Sequence, residues 1–138
     1  MLKKIVSEVI NCIKGGEVKD VFPAFDGTLL ENKPKSVVTF IGVKNLTVDK
    51  PIFSYDNYFC PFEAEISVSV TAPQWCGAYT LYDFFSNVVI ARLVDSAYIF
   101  GGIKNLSVKF DSTINRLVLS ADIAVSGCET IERSYGNE

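Results

Sequence analysis

Apolar and polar side chains alternate almost without interruption from Phe59 to Thr71. Phe62, Ala64, Ile66, Val68 and Val70 fall on one side, and Glu63, Glu65, Ser67, Ser69 and Thr71 on the other. A period of two predicts a β-strand with one buried face. The run stops at the corner Ala72-Pro73-Gln74-Trp75-Cys76-Gly77, and a helical pattern takes over from Tyr79 to about Val94. Thr80 has the residue type of an N-cap, with Asp83 three positions on as in a capping box. Tyr79 and Phe84 occupy the matching hydrophobic-staple positions. Leu81, Phe84, Phe85, Val88 and Val89 form a broad apolar face. At about 100° per residue, Ile90 and Val94 land in the arc of Asp83, Ser86 and Asn87. The helix is therefore apolar nearly all round, and cover on both sides is expected, from the sheet and from a second helix or subunit. Arg92 lies within the apolar face near the C-terminal end. It favours the helix dipole there or pairs across an interface, unless the helix ends a turn earlier.

Upstream, Leu2, Ile5, Val6, Val9, Ile10, Cys12 and Ile13 share one face of a predicted helix over 2–14, stopped by Gly15-Gly16. Its polar face mixes both signs of charge, which fits a helix packed on a sheet better than one lying on a membrane. Val18–Phe22 predicts a short strand ended by Pro23. Asp26-Gly27 predicts a turn and Glu31–Lys35 a polar loop. Val37–Val43 is β-branched and predicts a further strand, with Gly42 as a bulge position. Leu46 and Val48 extend its alternation, in the same strand or after a turn at Lys44-Asn45. Residues 49–61 contain two prolines and Asp56-Asn57 and read as a loop or distorted hairpin, yet they hold Phe53, Tyr55, Tyr58 and Phe59. These rings either fold back on the core or form a contact surface with aromatic anchors. Further on, Leu106, Val108 and Phe110 alternate, residues 111–115 turn, and Leu117, Leu119, Ala121, Ile123 and Val125 alternate again. That is a hairpin closed by Gly127, followed by a polar tail over about 129–138 that is expected to fray. Gly42–Val48 echoes Gly102–Val108 almost residue for residue, as two equivalent strands of one sheet or as chance in a β-rich chain.

Composition narrows the chemistry. A chain of 138 residues, 49% apolar, fits one domain over 1–138 with its own core. The net charge of −3 comes without a basic cluster, so nucleic acid is not expected as a partner. Histidine is absent, which removes the usual general base and the commonest metal ligand. Cys12, Cys60, Cys76 and Cys128 form no C-x-x-C pair and read as reduced, buried thiols of an intracellular protein, with two disulfides as the less favoured alternative. No metal site and no cofactor is expected. No apolar stretch reaches the length of a membrane span, and none is expected to dock on a membrane. Glu63 and Glu65 lie two apart on one strand face, which reads as a solvated face rather than a carboxylate pair. Cys76, just ahead of a helix, reads as structural rather than as an activated thiol. Trp75 is expected to plug the strand–helix corner. No phosphate-loop, dinucleotide, metalloprotease or nucleophile-elbow pattern occurs.

The simplest packing is α+β: an antiparallel sheet with both helices on one face and a C-terminal hairpin. This layout resembles the tail-terminator (tail-completion) and related neck proteins of long-tailed bacteriophages and prophages. The matching pieces are helix Leu2–Lys14, the aromatic excursion at 49–61, strand Phe62–Thr71 running into helix Thr80–Val94, and the closing hairpin Leu106–Val125. The resemblance implies a structural, non-enzymatic protein that forms a ring, usually of six copies, at the end of the tail tube. It also implies tail-tube and neck proteins as partners, and a place in the virion tail or the host bacterial cytoplasm. Phe53, Tyr55, Tyr58, Phe59, Ile90, Arg92 and Val94 are the expected interface residues. The alternative is a small-ligand-binding module with an apolar pocket lined by Phe84, Phe85 and Trp75.

Overall fold

The computed structural model describes residues 2–24 and 37–132. The turn expected at Asp26-Gly27 and the loop over Glu31–Lys35 lie outside them. The chain runs α1 (Leu2–Ile13), β1 (Val21–Pro23), β2 (Val38–Val48), β3 (Ile52–Phe53), β4 (Asn57–Pro73), a 3-10 turn (Gln74–Cys76), α2 (Ala78–Phe84), π-helical turns (Phe85–Ile90), α3 (Ala91–Val94), β5 (Ile99–Asp111) and β6 (Arg116–Glu132). The sheet order is β1-β2-β4-β6-β5, with β3 beside β4. The fold is α+β, as the pattern predicts. Its sheet is mixed, because β1 lies parallel to β2 while every other pairing is antiparallel.

The alternation in β4 does what a period of two demands. Phe62, Ala64, Ile66, Val68, Val70 and Ala72 are buried and meet Leu119, Ala121, Ile123 and Val125 of β6 under the helices. β4 and β6 pair without a register shift from Asn57↔Glu132 to Pro73↔Arg116. The polar tail expected from residue 129 is thus strand as far as Glu132. Gly127 lies inside that strand and does not close it. A Cβ there would sit 2.9 Å from the Tyr98 ring and 3.0 Å from Phe62, so the missing side chain makes room for both rings. Those rings meet edge-on with centroids 5.6 Å apart.

α1 buries Ile5, Val9 and Ile13 against β1 and β2 and ends at glycines, with Gly16 at φ +57°. β2 runs unbroken through Leu46 and Val48, and its bulge sits at Lys44, between Val43 and Asn45, rather than at Gly42.

The second helical stretch starts one residue earlier than the pattern suggests. Gly77, at φ +78°, holds the cap position, and Thr80 lies in the first turn, donating its hydroxyl to the Cys76 carbonyl at 2.7 Å. The capping box at Thr80 and Asp83 is not formed, since the chain reverses at a conformation only glycine adopts easily. Asp83 instead accepts from Asn87 at 3.0 Å. Leu81, Phe85, Val89 and Leu93 are each at most 2% exposed. A step of four advances about 40° in a regular α-helix, so four such residues would drift off one face. The wider π turns between Phe85 and Ile90 absorb that drift. Ile90 is drawn to a half-buried position against the core, while Val94 stays 54% exposed. α1 packs on this stretch chiefly at α3, and Tyr79, Tyr82, Asp83, Ser86 and Asn87 face solvent. The second cover expected for the helix is therefore only partial.

The internal echo is structural. Val43, Ile66, Ile123 and Ile103 form one row across β2, β4, β6 and β5. β4 and β6 echo each other as well, Ala64-Glu65-Ile66-Ser67-Val68-Ser69 against Ala121-Asp122-Ile123-Ala124-Val125-Ser126. A pseudo-twofold axis through the Ile66–Ile123 pair, normal to the sheet, exchanges hairpin β2–β4 with hairpin β5–β6. Both outer strands bulge at the Lys-Asn dipeptide, β2 at Lys44 and β5 between Lys104 and Ser107.

Candidate interaction surface

The face of the sheet opposite the helices is polar, and its centre is a charge cluster assembled by the pseudo-twofold. Lys44 on β2 reaches across β4 to Asp122 on β6 at 2.9 Å and also lies 3.6 Å from Glu65. Lys104 on β5 reaches across β6 to Glu65 on β4 at 3.1 Å. Each hairpin thus sends a lysine to the carboxylate of the other. Asn105, in the bulge at φ +57°, donates to Asp122 at 2.9 Å. That hydrogen bond first, and the one from Lys44 next, hold the Asp122 carboxyl below its ordinary value, and the bond to Asp122 raises the Lys44 ammonium. Of the two strand-face carboxylates, Glu63 is exposed and Glu65 is held between two lysines.

Among the described residues the sheet has two bare margins. β5 pairs only with β6 among the described residues. It carries Ile99, Ile103, Leu106 and Phe110, which are 36–69% exposed. On the opposite margin β1 covers only Thr39–Ile41 of β2. The stretch from Lys44 to Val48 pairs with β4 alone among the described residues, and Val48 is 45% exposed. Beyond it stands the aromatic excursion. Ile52 and Phe53 form β3 against Phe59 and Tyr58, closed by Ser54 and Asn57. Phe53 and Tyr55 are 64% and 84% exposed, while Tyr58 and Phe59 are half-buried. The Phe53 and Tyr58 rings lie 5.6 Å apart. The strand half of the excursion is half-buried and its tip is exposed.

Other expected interface residues divide. Val94 is on the surface and Ile90 leans on the core. Arg92 is spent inside the protomer, donating to the carbonyls of Ile13 and, at 3.4 Å, Gly15, where α1 ends with unsatisfied acceptors. Its guanidinium is thus engaged at the C-terminal end of α1, where a cation also favours the helix dipole. Cys12 donates its thiol to the Arg92 carbonyl at 2.9 Å, and burial raises its pKa.

Trp75 does not plug the corner: it is 76% exposed, beside the exposed Tyr79 and Tyr82, whose rings meet edge-on. Phe85 is sealed in the core, so Phe85 and Trp75 do not line one apolar chamber. The four cysteines are free thiols, but of the four only Cys60 is buried as expected: Cys12 and Cys76 are half-buried and Cys128 is exposed. Among the described residues no group of three or more acidic or cysteine side chains is placed to hold a metal, and no helix is long and apolar enough to cross a membrane. Arg116, unremarked in the sequence, is 4% exposed and donates to the Thr71 hydroxyl and carbonyl at 3.2 and 3.1 Å. A lone arginine opening a strand carries no signal of burial in one dimension. The crossed lysines were signalled only by the echo. The chain matches no family model and no curated protein.

Proposed function

We propose that this protein is a structural, non-enzymatic ring-former of the tail-terminator kind, set at the end of a phage or prophage tail tube. The observation that supports this reading is the pair of unlike bare margins on opposite sides of one sheet. A contact between unlike patches is head-to-tail, and such contacts close into rings or run on as filaments. The exposed tip of Phe53 and Tyr55 and the patch of Trp75, Tyr79 and Tyr82 supply further aromatic area of the kind that anchors protein contacts. Tail-tube and neck proteins are the partners the resemblance implies. The test is native mass spectrometry and light scattering on the whole protein over a wide concentration range. One discrete closed oligomer is expected, with six copies as the first candidate. A monomer at every concentration rejects the reading.

A further inference from the structure

The pseudo-twofold fixes how the two margins stand to each other. From the shared row Val43–Ile66–Ile123–Ile103, β2 runs on to Val48, opposite Phe62. β5 runs back to Ile99, whose partner Ser126 faces Glu63. The bare stretches Lys44–Val48 and Ile99–Ile103 therefore span nearly the same rungs of β4. They also run in opposite directions, since three antiparallel steps separate β2 from β5. Neither stretch has a backbone partner on its outer side among the described residues.

Two copies turned about an axis along the strands would thus bring antiparallel backbone together at matching height, without a shift along that axis. Rotation without translation closes on itself, whereas rotation with translation winds a filament. The side chains agree. Phe100 and Ile103 face the helix layer on one margin, and Leu46 and Val48 face it on the other, so the contact would continue a single apolar layer. The crossed charges cancel, two lysines against two carboxylates, so the margins carry no net repulsion from that source. The bulges at Lys44, at Gly101 and after Lys104 bend the sheet in the way closure requires.

We propose that successive copies of this chain join by antiparallel pairing of the β5 margin at Ile99–Ile103 with the β2 margin at Lys44–Val48 of the next copy. The sheet is then continuous round the ring. The inference rests on the ring reading and specifies its contact. Ile99 and Val48 are exposed in the protomer, so Ile99→Lys and Val48→Lys disturb the margins and spare the core.

Each variant alone should associate at least tenfold more weakly than wild type by analytical ultracentrifugation, with an unchanged circular dichroism spectrum. Mixed in equal amounts, they share one intact contact, β5 of the Val48→Lys copy with β2 of the Ile99→Lys copy. The mixture should therefore stop at a dimer. If Val48→Lys fails to fold, Thr47→Lys, exposed on the same margin, replaces it. Rings from both variants at wild-type strength overturn the pairing and leave the ring reading standing. A wild-type protein that stays monomeric removes both.

Discussion

β2 and β5 carry the same run, Gly-x-Lys-Asn-Leu, each bulge within it, and each send a lysine across the neighbouring strand. Their surroundings differ. β2 is reached from α1 through residues 14–37, a connection that includes β1 and lays it along Thr39–Ile41. β5 is reached from α3 through residues 95–98, which hold no strand. Thr39 points into the helix layer and is 0% exposed, whereas Ile99, at the same offset from the shared run, is turned to the opposite face by the bulge at Gly101 and is 69% exposed. Like sequences give like backbone shape and reach; the connection that precedes each strand decides what stays open to a partner.

Substitutions can break or sharpen that comparison. The largest effect is expected from forcing the two hairpins to match where they differ. Val70 in β4 corresponds to Gly127 in β6, and the Gly127 space is filled by Phe62 and Tyr98. Gly127→Val should cost about 3 kcal/mol by overpacking, read as a lower urea midpoint. An unchanged midpoint would mean that both rings relocate freely.

Next comes a side chain that ties α3 to the end of α1. Arg92→Met leaves the last carbonyls of α1 without their charged donor and should cost about 2 kcal/mol. Faster amide exchange confined to α1 would accompany it.

The crossed lysines make a smaller and symmetric contribution. Glu65→Gln and Asp122→Asn should each cost less than about 1 kcal/mol at neutral pH, since the cluster borders water. The Asp122 carboxyl titrates below its ordinary value, so its contribution is present above the ordinary carboxylate range and fades as pH falls through the lowered value. The Lys44 ammonium is raised, so its share holds through neutral pH and is lost on going above the ordinary lysine value of about 10.4. An Asp122→Asn difference that survives unchanged near pH 2 would contradict this account. Smallest, and of opposite sign, is Thr39→Val. The Thr39 hydroxyl is buried without a hydrogen-bond partner, so replacing it should stabilise by about 0.5 kcal/mol in thermal melts.

The long strand, the first helix and the hairpin of β5 and β6 were legible because each buries one face, and burial writes its period into the residues. What the sequence concealed depends on contacts or on backbone detail. The π turns alter the angle per residue, and that moved Ile90 from the solvent arc to the core. Gly77 took the cap that Thr80 was expected to hold, because φ at the corner mattered more than side-chain type. β6 outlasted its apolar pattern, since its last residues are held by the ladder to β4 and not by burial. Trp75 looks like core material by residue type, yet only three dimensions reveal that the corner turns it outward. Of the candidate surface, the aromatic tip was visible in advance. The bare margins were not, because an edge is defined by the absence of a neighbour, which alternation does not encode.

The ladder between β4 and β6 has a mechanical consequence. It runs without slippage from Asn57↔Glu132 to Pro73↔Arg116. Tension applied along the strands would load every rung together, in shear, whereas a sideways pull would unzip them one by one. The central seam thus resists a lengthwise pull far better than a sideways one.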